Sequence, residues 1–329
     1  MQYIIDFFLK EKPDVVIPMD DTTCIVFSKN LSELSKLTKV PIANYEIFKK
    51  GIDKSETIKA AQEIGIPLPF TYITDSLENI KKPASYPLVI KPSYGSGSRG
   101  IKIANNDNEL IKAVELIINT GCKAIIQERL PHEGAGYGIS LLFNFKSQPK
   151  AAFAHKRLRE YPIYGGPSTL RLSIKDEKLK TMGIRLLEHL KWQGVAMVEF
   201  KLDVRDNTYK LMEINPRFWG SLNLAIFAGI NFPDMLVRLA LDGDVKEKFD
   251  YKENLFSRWL LPGDILHFFS NPDRFKLNPS FFKFFDKNLV YDILSLDDLL
   301  PTFCRLFNMF IYLFDPEMRK LVFRNNKIK

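Results

Sequence analysis

Alternating apolar and polar positions predict a β-hairpin over residues 195–204 and 208–215, with turn residues at 205–207. Symmetric pairing of its strands about Asp206 places Glu199 opposite Glu213. The apolar face, which belongs in a core, would carry Val198, Phe200, Leu202, Met212 and Ile214. The opposite face would carry Glu199, Lys201, Asp203, Glu213 and Asn215.

The two opposed acids are the feature of this hairpin that calls for an explanation. At about 5 Å, and with an effective dielectric of about 20, their repulsion is roughly 3 kcal/mol. A cation between them would remove this cost, and two carboxylates with an amide oxygen suit Mg²⁺. The pattern leaves one alternative open, which is a solvated hairpin face on which Lys201 neutralises one acid.

The remaining periodicity predicts a mixed chain of helices and strands. Helices are predicted at 2–10, 31–37, 53–64, 107–118, 176–190, 219–228 and 232–241. Strands are predicted at 15–17, 70–73, 87–91, 101–103, 123–129, 136–145, 149–157 and 170–174. From residue 245 onward the chain holds 14 of its 26 phenylalanines and is interrupted by prolines, which predicts short helices packed as an appendage.

The composition narrows the class of protein. A chain of 329 residues with 46% hydrophobic residues can form two or three domains. The net charge of +8 fits an anionic partner such as a nucleotide, a nucleic acid or an acidic membrane. Three scattered cysteines and no recognisable signal peptide predict a reducing, cytoplasmic location. The histidines are scattered too, and no Ser-His-Asp order stands out.

A glycine- and serine-rich loop follows a predicted strand that ends at Lys91. The loop, residues 92–100, holds three glycines and three serines, and its backbone amides can cradle phosphate while Lys91 and Arg99 add positive charge. The GK[ST] ending of a P-loop is absent. The alternative is a flexible hairpin turn.

Two further stretches are candidates for binding. The strand end Gln127-Glu128-Arg129-Leu130 can present its backbone to a purine edge while Glu128 accepts from an exocyclic amine, or it is an ordinary edge strand. A basic stretch between two strands is suited to bind carboxylate or phosphate, or is a solvated loop. It contains Arg157, Arg159, Gly165, Gly166, Ser168 and Arg171.

Five elements in this order resemble the ATP-grasp superfamily, and most its carboxylate–amine ligase and carbamoyl-phosphate-synthetase-like branch. They are Asp53-Lys54, Ile90-Lys91-Pro92 with its loop, Gln127-Glu128, Val198-Glu199-Phe200, and Glu213-Ile214-Asn215-Pro216-Arg217. The resemblance covers roughly residues 50–242 and implies an α+β (α/β) fold in which two lobes clasp a nucleotide. The implied domains are an abbreviated N-terminal α/β segment (1–50), a lobe with the glycine flap (51–130), a lobe with the metal site (131–242) and a helical, Phe-rich appendage (243–329).

The resemblance also implies a role for each matching residue. Lys54 and Lys91 would contact the ATP phosphates, under a mobile flap that contains Ser96, Gly97 and Ser98. Glu128 would bind the adenine amine, and the backbone around Arg129 and Leu130 would bind the ring. Glu199, Glu213 and Asn215 would hold Mg²⁺, for which Mn²⁺ could substitute. Arg217 would stabilise the transferring phosphoryl group, and Arg157 and Arg171 would face the substrate.

The function implied is an ATP- and Mg²⁺-dependent ligase that joins a small-molecule carboxylate to an amine through an acyl phosphate. Two alternatives stay open: a carboxylase-like or kinase-like enzyme that phosphorylates bicarbonate or another acid, and a non-enzymatic membrane-surface module. Residues 245–329 hold 14 Lys/Arg against 11 Asp/Glu, a balance that argues against nucleic acid as a partner. For the Phe281–Phe285 run, packing on the main body or a subunit interface is favoured over membrane contact, which leaves homo-oligomers open.

Two departures from the family pattern are also apparent. The domain that precedes the grasp is short, because the first predicted helix begins at Gln2, and this shortening affects part of the acceptor site. An abbreviated domain and a misplaced gene start both explain it. The chain beyond residue 243 does not match the biotin carboxylase pattern.

Overall fold

The computed structural model describes residues 1–80, 85–95, 100–163, 165–295 and 297–316. The flap residues Ser96, Gly97 and Ser98 lie outside the described residues. The chain forms two units. Unit 1 comprises Met1–Ala154, Asp176–Trp219 and Ile230–Asp250, and unit 2 comprises His155–Lys175, Gly220–Gly229 and Tyr251–Lys329.

The first 63 residues of unit 1 form five helices joined by loops. The helices are α1 (Gln2–Glu11), α2 (Asp21–Lys29), α3 (Leu31–Leu34), α4 (Tyr45–Ile52) and α5 (Lys54–Glu63). Helices α1 and α5 agree with the predictions, whereas α3 is shorter than predicted. Helices α2 and α4 were not predicted, although Asp20 and Thr23 form a reciprocal capping box at the start of α2.

The predicted strand at 15–17 is wrong. Val15 makes only an isolated bridge to Lys39, and the segment is half-buried. Pro13 and Pro18 flank it and supply no amide hydrogens, so a regular ladder cannot extend in either direction.

A four-stranded antiparallel sheet follows in unit 1. Its strands are β1 (Thr71–Thr74), β2 (Leu88–Pro92), β3 (Lys102–Ala104) and β4 (Ala124–Glu128), in the order β1-β4-β2-β3. Helix α6 (Asp107–Ile118) packs its apolar face on this sheet, where Leu110 and Val114 join Leu88, Ile90 and Ile126 in one core. The sequence pattern predicts all five elements to within one or two residues.

Unit 1 also contains the strands that carry the predicted acids. Strand β5 (Gly136–Phe143) pairs with β8 (Gly194–Asp203), and β8 pairs with β9 (Thr208–Asn215), both antiparallel. Helices α7 (Glu177–His189) and α9 (Phe232–Asp242) belong to the same unit. Strand β6 (Pro149–Glu160) begins in unit 1 and continues into unit 2.

Unit 2 contains the rest of β6 and most of the C-terminal region. Its other elements are β7 (Ser168–Ile174), α8 (Leu222–Ala228), β10 (Phe256–Arg258), a helical turn (Leu260–Asp264), α10 (Ile265–Ser270), a 3₁₀ turn (Arg274–Lys276), β11 (Leu289–Tyr291) and α11 (Leu300–Phe314). The predicted short helices are present, but the interpretation as helices alone missed two strands: β10 pairs with β7 and β11. Three residues are too few for a periodic signal.

Within the described residues no single helix is both long and apolar enough to cross a membrane, and one bent helix pair meets that test only in combination.

A buried ion network ties the elements of unit 2 together. Asp264, which has no exposed surface, accepts hydrogen bonds from Arg159 at 2.7 Å, Arg258 at 2.6 Å and Thr169 at 3.0 Å. The Arg258 guanidinium also lies 4.6 Å from the ring centre of Phe281. Charge pairing, hydrogen bonds and a cation–π contact thus compensate the cost of burying these groups.

Gly134 lies against the backbone of Leu202 in β8, near the turn of the β8–β9 hairpin, and a larger residue should not fit there. A Cβ on Gly134 would lie 1.8 Å from the carbonyl oxygen of Leu202. We expect Gly134→Ala to destabilise the protein by about 1–3 kcal/mol, because backbone must move to admit the methyl group. Thermal unfolding measures the effect.

The matched control is Gly220→Ala, since no heavy atom beyond Gly220 and its chain neighbours lies within 4 Å of the Cβ position there. An unfolding midpoint for Gly134→Ala equal to that of the control would contradict this close approach.

Candidate nucleotide and metal site

The β8–β9 hairpin confirms that Glu199 pairs with Glu213, but the register of the two strands differs from the predicted one near the turn. Next to the turn, Asp203 pairs with Thr208, which is one residue off the symmetric register. A β-bulge at Met212 then inserts one extra residue in β9, and the pairing is restored at Glu199.

The bulge also changes which side chains of β9 enter the core. Leu211, opposite Phe200, is 1% exposed, whereas Met212, predicted on the apolar face, is the half-buried bulge residue. Without the bulge, Leu211 and Glu213 would share one face of the strand. The extra residue therefore lets β9 bury Leu211 and still present Glu213 beside Glu199.

The acids of the hairpin are a suitable donor set for a divalent cation. The amide nitrogen of Asn215 donates to Glu199 Oε1 at 3.0 Å, so the amide oxygen is the Asn215 atom that could bind a metal. Among the described residues no group of three or more His, Cys, Asp or Glu side chains forms a metal cluster. Two carboxylates and one amide oxygen fit Mg²⁺ that is shared with phosphate oxygens, since such sites take few protein ligands.

Lys54 places an ammonium group beside these acids. Its Nζ lies 3.5 Å from Glu213 Oε2 and also donates to the carbonyl of Gly95 in the glycine-rich loop. The start of α5 fixes the position of Lys54: Asp53 caps the helix by accepting from Ser55 N at 2.8 Å, and Lys54 N donates to Ser93 O at 2.9 Å. The helix start and the loop thus approach the acids together.

Lys91 is the second cation at this place. It is 5% exposed, and its Nζ lies 3.4 Å from the Met212 carbonyl oxygen at the bulge. Burial lowers the pKa of Lys91 to about 8, although the nearby Glu213 opposes the shift. Two lysines and two acids are therefore brought together, as a site for phosphate and metal requires.

Tyr94, in the same loop, was not identified from the sequence. Burial and a hydrogen bond to the Asp53 carboxylate raise the pKa of its phenol. This contact joins the loop to the cap of α5, and no local pattern around Tyr94 indicated it.

Glu128, predicted to bind an adenine amine, lies at the end of β4. Its Oε1 accepts from the backbone N–H of Phe70 at 2.9 Å, and its Oε2 accepts from Arg205 at 2.7 Å. Arg205 also holds Asp203, at 2.6 Å, so the hairpin turn is joined to this strand end. The backbone N–H of Arg129 donates to Pro87 O at 3.3 Å, and Leu130 is buried. Purine recognition by these residues stays a prediction.

Arg217, predicted to stabilise a phosphoryl group, is paired with an acid from the N-terminal region. Its Nε donates to Asp21 Oδ1 at 2.7 Å, and its Nη1 donates to Phe218 O at 2.9 Å. Asp21 opens α2 and was not identified from the sequence. The role of Arg217 stays a prediction.

The predicted substrate arginines lie in unit 2. Arg171 is 3% exposed, and its guanidinium contacts Asp292 at 2.5 Å and the Ser168 hydroxyl at 2.7 Å. Arg157 lies in β6 and is half-buried. Substrate binding by either residue stays a prediction.

Two family models match parts of the chain. Residues 53–130 match the ATP-binding domain of the carbamoyl-phosphate synthase L chain, and residues 146–260 match "ATP-grasp in the biosynthetic pathway with Ter operon". The chain is 27% identical over 235 residues to a carbamoyl phosphate synthase large chain from Thermoanaerobacter sp. (strain X514). It is 26% identical over 231 residues to the one from Methanospirillum hungatei. Each alignment covers 66% of this chain and only 22% of the relative.

Solved structures of low sequence identity share the fold. Biotin carboxylase from Campylobacter jejuni, solved with an ATP analogue, matches with a TM-score of 0.66 at 17% identity, covering 78% of this chain and 60% of that one. An L-amino acid ligase from Bacillus licheniformis matches with a TM-score of 0.58 at 19% identity, covering 73% and 59%. These matches confirm the predicted α+β ATP-grasp fold. The family models and the sequence relatives together confirm that the chain resembles the ATP-grasp superfamily.

Proposed function

We propose that this protein is an ATP- and Mg²⁺-dependent ligase that activates a substrate carboxylate and joins it to an amine. The observation that carries the proposal is the pairing of Glu199 with Glu213, with Lys54 and Lys91 beside them. The carbamoyl phosphate synthase relatives and the L-amino acid ligase fold support it.

Each residue has a defined part in this chemistry. Lys54 and Lys91 bind the phosphates, and Glu199, Glu213 and Asn215 hold the metal. ATP would supply the phosphoryl group that converts the carboxylate into an acyl phosphate, with ADP as the leaving group, and Mg²⁺ held by the acids would neutralise the phosphate charge. The amine then attacks the acyl carbon, loses a proton and displaces phosphate. The protein positions these groups and stabilises charge, so no His or Cys nucleophile is needed.

The test is ADP release across a panel of carboxylates and amines, followed by mass spectrometry of the products. A ligase should release ADP only when both an acid and an amine are present, and should form an amide. ADP release with no dependence on any amine would contradict C–N bond formation.

A second candidate is phosphorylation of bicarbonate or another acid without an amine. The similarity to carbamoyl phosphate synthase and to biotin carboxylase favours it. The same assay separates the two, since this reaction would release ADP and form the acyl phosphate of bicarbonate or another acid without any amine.

The buried Lys91 makes nucleotide affinity depend on pH. Its pKa of about 8 lies below the ordinary value of 10.5, so the ammonium form that binds phosphate is lost as pH rises through about 8. We expect ATP to bind up to about tenfold more weakly at about pH 9 than at about pH 7. Calorimetric titration at the two pH values measures this.

Stability should respond in the opposite sense. Between about pH 8 and 10.5 the unfolded chain binds more protons at Lys91 than the folded one, so this group contributes stability that grows as pH rises. In Lys91→Arg the side chain keeps its charge, and both dependences should disappear. A fall in ATP affinity of the same size in this variant would exclude Lys91 as the titrating group.

A further inference from the structure

Unit 2 exposes an unusual number of large apolar side chains in two places. The first is the segment 269–285, where Phe285 is 96% and Phe275 is 75% exposed, and Phe269 and Phe282 are exposed as well. The second is helix α11. The exposed phenylalanines of these two places are together called the aromatic surface below, and the proposed ligase chemistry does not use them.

Helix α11 displays its apolar side chains on one face. Phe303, Phe307, Phe310 and Phe314 are all more than half exposed and recur at spacings of three and four residues. The opposite side is less exposed: Thr302 is buried and donates to Ile293 O, and Arg305 and Met309 are half-buried. The helix thus rests on its unit by its more polar side and leaves its phenylalanines in water, which is the reverse of the usual arrangement.

Positive charge accompanies these phenylalanines. Residues 271–287 hold four basic side chains, Arg274, Lys276, Lys283 and Lys287, against two acidic ones, Asp273 and Asp286. Lys276 pairs with Asp273 at 3.1 Å and Lys283 pairs with Asp286 at 2.5 Å, so the segment keeps a net charge of +2. After α11, residues 317–329 hold five Lys/Arg against one Glu in sequence. Exposed phenylalanines interleaved with lysines complement an anionic lipid surface, where the rings enter the headgroup region and the cations meet the phosphates.

The shape of the surface distinguishes a bilayer from a second copy of the chain. A side chain that is 96% exposed, such as Phe285, touches almost nothing of its own chain and therefore protrudes. A protruding ring enters a fluid bilayer without a matching cavity, whereas a stable subunit interface needs close shape complementarity over a broad area. We propose that the aromatic surface of unit 2 docks this protein on anionic membrane surfaces.

Co-sedimentation of the full chain with vesicles tests the proposal. The protein should bind vesicles that contain phosphatidylserine, bind vesicles of phosphatidylcholine alone roughly tenfold more weakly, and dissociate as salt is raised. The double variant Phe285→Ser/Phe307→Ser should lose binding, and Lys276→Glu, at an exposed lysine, should weaken it. Leu116→Ser on α6 is the matched control, since Leu116 is 60% exposed in unit 1.

Three results would overturn the proposal. They are the absence of vesicle binding, equal binding to both vesicle types, and loss of binding in the Leu116→Ser control. Light scattering of the same proteins adds a fourth: self-association that the double variant abolishes, without any vesicle binding, would make the surface a subunit interface. Since the surface substitutions lie at exposed positions, circular dichroism should show folded protein in every case.

Discussion

Replacing Glu213 by alanine should abolish ATP turnover while leaving the fold intact. The variant loses a proposed metal ligand and the acid that lies 3.5 Å from Lys54, so phosphate and metal would no longer be held together. We expect a loss in kcat on the order of 10³-fold, which is typical when a preorganised electrostatic contact to the transition state is removed. Steady-state ADP release measures it.

Stability should change little in this variant, because removal of the carboxylate also removes its repulsion with Glu199. Circular dichroism and thermal unfolding therefore provide the check on folding. Glu115→Ala is the matched control, since Glu115 is exposed on α6 in the same unit. Turnover of Glu213→Ala equal to that of this control would exclude Glu213 from the metal site.

The second large effect is expected in unit 2, where Asp264→Ala should be strongly destabilising. Asp264 is fully buried and takes hydrogen bonds from both Arg159 and Arg258, at 2.7 Å and 2.6 Å. Its removal leaves two buried guanidinium groups without their carboxylate, for which we expect a loss of about 3–5 kcal/mol. The unfolding midpoint of the protein should fall by on the order of 10 °C.

Asp273→Ala serves as the control for this experiment. Asp273 pairs with Lys276 at 3.1 Å, but both side chains are well exposed, and such pairs contribute little. If the two variants unfolded at the same temperature, the buried network would not be what stabilises unit 2. Differential scanning calorimetry measures the unfolding midpoints of the two variants.

Local pattern was enough to predict most of the fold of unit 1. Helix α6 and the strands around it have clear periods and turn residues, and the structure has them within one or two residues. The bulge was missed, although Leu211 and Met212 are adjacent apolar residues in a strand that otherwise alternates. That break in alternation is the signal that could have shown it.

The side-chain pairs of the candidate site were harder to predict from the sequence. Arg205 meets Glu128 across 77 residues, and Arg217 meets Asp21 across 196. Such pairs depend on how distant elements pack, and a periodic pattern carries no information about them. The short strands β10 and β11 were missed for a related reason, since each is defined by its pairing and not by its own three residues.

The extra residue in β9 has a consequence for how this hairpin tolerates changes in length. Deleting one residue from a strand ordinarily turns every later side chain to the wrong side of the sheet. In β9 the bulge already shifts the register by one residue. Deleting Met212 would therefore place Leu211 directly before Glu213 and give a regular ladder. Leu211 would still pair with Phe200, and Glu213 with Glu199. We therefore expect the hairpin to survive this deletion.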